Sequence, residues 1–154
     1  MPSPVRQLVP AALLALLAGG GLPLGADLAS AAAQADPVKR SRLALENGER
    51  AAAQAGEACR AGDHDKCDAL VQEARESVEL AKKSLDQSGQ EPSRSPRFKD
   101  AEIRTRKILR QLEAVRAYVH PDDVDRFEAE RARISKINDQ LLAGIMTRAK
   151  KKKK

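Results

Sequence analysis

The sequence predicts an all-α protein: four amphipathic helices arranged as two antiparallel hairpins, packed as an up-down bundle or as an elongated hairpin pair. Three observations carry this. Ala, Leu, Glu, Arg and Lys dominate the chain, a helix-former composition. Apolar residues recur at threes and fours over 45–85 and 98–145, the spacing that lines one helical face. Proline-marked starts at Asp36-Pro37, Ser95-Pro96 and His120-Pro121 punctuate those stripes. Strand chemistry is missing: the only aromatics are Phe98, Tyr118 and Phe127, and no Val/Ile/Tyr-rich alternation occurs.

Each element follows from its residues. Asp36 can cap exposed amides, and Pro37 fits the first helical position, where no N–H is needed. The first helix then runs to about Cys59, with Leu45, Ala52, Ala55 and Cys59 on a stripe that is mostly alanine. Residues 60–65 form a short turn in which Asp63 or Asp65 can cap the second helix. That helix carries Cys67, Leu70, Ala74, Val78, Ala81 and Leu85 on one face and stops near Gly89. Together these make a first hairpin over 36–86. Residues 87–97, rich in Ser and Pro, read as a linker.

The second hairpin spans 98–146. Phe98, Ala101, Thr105, Ile108, Leu112, Val115 and Val119 form the most regular stripe in the chain, which predicts a third helix through Val119. His120-Pro121-Asp122-Asp123 ends it and starts the fourth, with two acids in the first turn. Val124, Phe127, Ile134, Ile137, Leu141, Leu142 and Ile145 are expected to face inward there, with Arg131 and Asn138 interrupting the face. A thin alanine-lined core also leaves room for a homodimer sharing one core.

The first 35 residues read as a secretory signal peptide. Arg6 supplies the positive start, Leu8 to Leu17 the apolar segment, and Ala33-Gln34-Ala35 the small-x-small site, so cleavage is expected before Asp36. A membrane anchor needs roughly 20 consecutive apolar residues, and Pro10, Gly19, Gly20, Gly21, Pro23, Gly25 and Asp27 interrupt the run. The expected location is therefore periplasmic or extracellular.

Net charge is +6, but Arg6 and Asp27 cancel and Lys150 to Lys154 contribute five of it. The body is balanced and the basicity is a tail. A phosphate-binding face should leave its charge on the fold, and there is no aromatic platform for stacking bases, so no nucleic-acid partner is expected. Lys150, Lys151, Lys152, Lys153 and Lys154 instead suit an anionic envelope surface, at about 1 kcal/mol per charge close to a membrane. The other expected partner is a protein, met by the charged helical faces.

Cys59 and Cys67 are the only cysteines and flank the turn between the first two helices. In an oxidising compartment such a pair reads as a disulfide, adding roughly 2–3 kcal/mol by the chain-entropy model. The alternative is a metal site, since Cys59, Asp63, His64, Asp65 and Cys67 lie within nine residues and carry thiolate, imidazole and carboxylate. Its core would be Cys59, His64 and Cys67, although seven residues between cysteines match no common zinc spacing. His120, before Pro121, marks a helix boundary. There is no nucleophile elbow, Gly-rich phosphate loop or His-Glu-x-x-His motif, so neither catalytic residues nor a cofactor are expected and an enzyme is not.

Two resemblances follow from particular stretches. Phe98-Lys-Asp-Ala-Glu-Ile-Arg to Arg110-Gln-Leu-Glu, then His120-Pro-Asp-Asp and Leu141-Leu-Ala-Gly-Ile-Met, resembles uncharacterised exported all-helical bacterial proteins, a likeness that implies export and shape but no activity. Ala61-Gly-Asp-His-Asp-Lys-Cys-Asp-Ala-Leu-Val71, followed by an Ala-rich helix, is similar to the small histidine-rich metal-binding four-helix family. That family binds metal through many histidines at helical spacing. Here only His64 and His120 are present, so this likeness implies the hairpin shape and not the ligand set.

Overall fold

A computed structural model describes residues 26–147. The expected leader up to residue 25 and the lysine tail lie outside the described residues. Within them the chain forms five α-helices and no strand: α1 (Ala26–Ala32), α2 (Pro37–Arg60), α3 (His64–Gln87), α4 (Pro96–Val115) and α5 (Val124–Met146). Two 3-10 turns, Arg116–Tyr118 and Pro121–Asp123, connect α4 to α5. The all-helical expectation holds, with one helix more than expected. The added helix, α1, lies within the segment read as a leader, and its Ala31 is buried in the core.

The caps explain where the helices begin. Asp36 accepts hydrogen bonds from the amides of Val38 and Lys39 at 2.8 and 3.2 Å. Ser95 accepts from Arg97 at 3.2 Å, and Asp63 from Lys66 at 3.2 Å. Each satisfies amides that have no partner inside their own helix.

α2 and α3 run antiparallel. Arg40 Nε donates to Ser84 Oγ at one end (2.9 Å), Asn47 Nδ2 to Ser77 Oγ in the middle (2.9 Å), and Cys59 meets Cys67 at the other end. Many of their buried residues are small, Ala44, Gly48, Ala51, Ala52 and Ala55 on α2 and Ala74, Ser77, Ala81 and Ser84 on α3, beside Leu45, Leu70, Val71, Val78 and Leu85. Small side chains let the two backbones come close. At Gly48 the approach is tightest, since a Cβ there would lie 3.0 Å from Ile108 Cδ1 and 3.2 Å from Ser77 Cβ.

α4 and α5 are also antiparallel, tied near their turn by Glu113–Arg131 and Arg116–Glu128. Their buried residues are larger: Phe98, Ile108, Leu112 and Val115 on α4, and Phe127, Ile134, Ile137 and Leu141 on α5. The two hairpins lie side by side with α4 parallel to α2 and α5 parallel to α3. Gly48 abuts Ile108 and Gly56 abuts Val115, while Asp68 pairs with Arg126 and Arg75 with Glu130. Both hairpin turns therefore sit at the same end of the bundle.

Two expected details are corrected. The third helix stops at Val115, and Val119, expected on its stripe, adopts extended backbone with φ −70° and ψ 135°. The cause is Pro121: a residue before proline is pushed out of helical geometry, and His120 has ψ 140°, so the chain leaves the helix before reaching it. Val119 still packs against the core from its turn. On α5, Leu142 is 46% exposed rather than inward. Neighbouring helical residues lie about 100° apart around the axis, and Leu141 occupies the buried direction.

Candidate functional site

The end of the bundle that holds both hairpin turns gathers most of the chemically distinctive side chains. It is built first by the α2–α3 turn. Gly62 has φ +77°, the left-handed region that glycine enters without penalty. Its amide donates to Cys59 O at 3.1 Å, and the Asp63 amide donates to Ala58 O at 3.0 Å. This pair of bonds is the Schellman termination of a helix. Asp63 then caps α3, so three residues separate the two helices.

That tight reversal places Cys59 beside Cys67, within disulfide-bonding distance and with their Cα atoms 5.2 Å apart. Both are buried, at 4% and 2% exposure. Burial removes the sulfurs from solvent reagents, which suits a structural bridge rather than a reactive thiol. His64 does not join them. Its ring packs on that of His120, with centroids 4.9 Å apart and planes tilted by 60°. Cys59, His64 and Cys67 therefore do not converge as a ligand set. Among the described residues no group of three or more His, Cys, Asp or Glu side chains is arranged around one ion position.

The rest of this end is electrostatic. His120 Nδ1 accepts from the Asp122 amide at 3.3 Å, and the Asp122 carboxylate lies 3.7 Å from the same nitrogen. Arg60 sits over the Tyr118 ring at 5.3 Å, a cation–π contact. Arg126 bridges Asp68 at 2.9 Å and Asp123 at 2.7 Å. Burial raises the Asp68 carboxyl above the usual aspartate range, with Arg126 pulling against it and Asp123 and Asp65 adding to it. Beside it, an open cleft of about 230 Å³ runs between α3 and α5, lined by Asp65, Asp68, Gln72, Arg126 and Glu130 with Phe127 beneath. It falls below the usual range of small-molecule pockets, roughly 300–1,000 Å³.

A second cleft of about 420 Å³ lies between α4 and α5 over Leu109, Ala132 and Ser135, rimmed by Glu128, Arg131, Lys136 and Asp139. Its charged rim is self-paired in part, since Arg131 bonds Glu128 at 3.1 Å. No described helix is long and apolar enough to cross a membrane.

Sequence reasoning placed the cysteines together but missed the histidine pair, whose members are 56 positions apart. The signal that could have found it was topological: each histidine stands beside the turn of its own hairpin, His64 opening α3 and His120 preceding Pro121. Lys150 to Lys154, the other expected site, lie outside the described residues. The chain matches no protein-family model, no curated protein sequence and no solved structure.

Proposed function

We propose that this is an exported, non-enzymatic interaction protein whose mature unit is the two-hairpin bundle α2–α5, stapled by Cys59–Cys67 and held at an anionic envelope surface by Lys150 to Lys154. The observation that carries the reading is the cysteine pair: two buried sulfurs within bonding reach across a three-residue turn, in a chain whose start has the order of a signal peptide. Such a pairing suits an oxidising compartment.

Cleavage before Asp36 is compatible with this unit. Asp36 remains to cap α2 through its side chain, so that helix keeps its start. What leaves is α1 with its buried Ala31, together with the Gln34 carbonyl that accepts from Arg40 Nη1 at 2.8 Å. Arg40 keeps its bonds to Ser84 and Gln87, at 2.9 and 2.6 Å.

The surface role is tested by sedimenting the chain from Asp36 onward with vesicles. It should pellet with vesicles containing anionic phosphatidylglycerol and stay in solution with neutral phosphatidylcholine. Raising ionic strength should release it, because exposed charge attraction is screened within about 10 Å at 0.1 M salt. Replacing Lys150 to Lys154 by Gln should abolish pelleting. Equal binding by the Gln-tailed chain would overturn the tether.

A further inference from the structure

We propose that His64 and His120 together bind one divalent transition-metal ion of the borderline class, with Cu²⁺ the tightest. The site joins the two hairpins at their turns. It shares no ligand with the buried cysteine pair and does not depend on export or on the lysine tail.

The ring spacing is what such a site needs. With metal–nitrogen bonds of ~2.1 Å and a further ~1 Å from nitrogen to ring centre, two imidazoles at tetrahedral or cis positions on one ion have centres roughly 4.5–5.2 Å apart. The observed separation is 4.9 Å. The rings are also accessible: His64 is half-buried at the first turn of α3 and His120 is exposed. An ion can therefore enter, and the rings can adjust about their terminal torsions.

The proton arrangement favours binding at His120. Its Nδ1 accepts from the Asp122 amide through a long bond, 3.3 Å, so a lone pair is held on that nitrogen and the proton belongs on the other. An ion taking that lone pair would displace only this weak bond. It would also find the Asp122 carboxylate, 3.7 Å from the same nitrogen. His64 sits at the positive end of a helix dipole, which opposes a cation. Asp63, Asp65 and Asp68 surround that helix start and supply compensating negative charge, with Asp68 electrostatically coupled to His64.

Imidazole suits Cu²⁺, Ni²⁺ and Zn²⁺, and the order of affinity on nitrogen ligands peaks at Cu²⁺. Two protein ligands leave the remaining positions to water. The arrangement has the character of an exchangeable site rather than a structural one, because structural zinc sites are closed by four protein ligands.

The test is titration of the folded protein with CuCl₂, NiCl₂ and ZnCl₂ separately, by calorimetry, together with NMR of the imidazole Cε1–H resonances. The expected result is one ion per chain, both histidine resonances perturbed together, and Cu²⁺ bound most tightly. His64→Ala and His120→Ala should each weaken Cu²⁺ binding at least tenfold, and the double substitution should add little to either. His64→Gln serves as a second variant should His64→Ala disturb the start of α3. Binding that survives either histidine substitution, or that moves only one resonance, would overturn the shared site.

Discussion

α2 buries mostly alanines and glycines with Leu45, and α3 mixes Ala74, Ser77, Ala81 and Ser84 with Leu70, Val71, Val78 and Leu85, whereas α4 and α5 bury mainly large side chains, among them Phe98, Ile108, Leu112, Phe127, Ile134 and Leu141. The first hairpin has fewer large buried side chains and adds close backbone approach, a three-residue turn and a cysteine pair. The second buries more and larger side chains, each contributing about 1.5–3 kcal/mol when fully buried. It has no covalent closure, and a longer, looser connection through two 3-10 turns. Hairpins of the same length can thus be stabilised by different means, and the two should fail differently.

The junction between the hairpins uses a third means. Glu49 of α2 accepts from both Arg104 Nε and Nη2 at 3.1 and 3.3 Å, and Lys107 approaches it at 3.5 Å. Arg75 of α3 pairs with Glu130 of α5 at 2.7 Å, with both side chains less than a fifth exposed. These pairs join helices that run parallel, so they fix the register of one hairpin against the other. Their net contribution is modest after solvent screening, about 1 kcal/mol or less each.

The sharpest break between the two halves is Phe127→Ala. This ring is 2% exposed, and its removal should cost about 3–5 kcal/mol, measured as a shift of the urea midpoint. No alanine of α2 can produce a loss of that size. A change under 1 kcal/mol would mean that the second hairpin is not held by its large side chains.

Opening the cysteine pair should come next. Reduction, or Cys59→Ala with Cys67→Ala, should lower stability by roughly 2–3 kcal/mol. Amide exchange should then accelerate in α2 and α3 more than in α4 and α5. Uniform acceleration would show one cooperative unit and erase the contrast.

Glycine substitutions sharpen the comparison at smaller scale. Gly48→Ala should gain up to about 1 kcal/mol of helix propensity. It must also displace Ile108 and Ser77 Cβ, which sit 3.0 and 3.2 Å from the new carbon. Overpacking costs about 1–3 kcal/mol, so a net loss near 1 kcal/mol is expected by thermal unfolding. Gly144→Ala on α5 meets only the Pro92 ring, at 3.2 Å, and should be neutral or slightly stabilising.

The junction provides the smallest effect and a pH signature. Burial pushes the Glu49 carboxyl up, but hydrogen bonds and charge from Arg104, with help from Lys107, leave it below the usual glutamate range. A depressed folded-state carboxyl stabilises above its unfolded value and loses that contribution as pH falls through the folded one. Glu49→Gln should therefore cost about 1 kcal/mol at pH 7, and the gap to the parent should close as pH falls below the usual glutamate range. Asp68 has the opposite sign. Its raised carboxyl makes the folded state the better proton binder, so Asp68→Asn should not reproduce this closing gap.

Much of this architecture was legible because its signals are local. Asp36-Pro37 and Ser95-Pro96 cap and start helices as their chemistry requires, and the stripes of α2 and α3 are buried throughout. Where the reading failed, a local signal was ambiguous or a long-range one decided. Val119 keeps the helical spacing although the backbone has already left the helix, because periodicity counts positions and not torsions. Leu141 and Leu142 are chemically equal, and only packing selects the first. α1 was hidden because a short apolar, alanine-rich segment serves a leader as well as a helix. The histidine pair required knowing that α4 lies parallel to α2, which no stretch of sequence declares.

The proposed export, cleavage before Asp36 and cysteine pairing all leave their mark on the covalent state of the chain. An intact-mass measurement of the protein recovered from its host's extracytoplasmic fraction, without reductant, tests them in one step. The prediction is a mass that begins at Asp36 and lies two hydrogens below the reduced value. A mass that retains α1, or one that shows both thiols free, would contradict the exported, stapled unit.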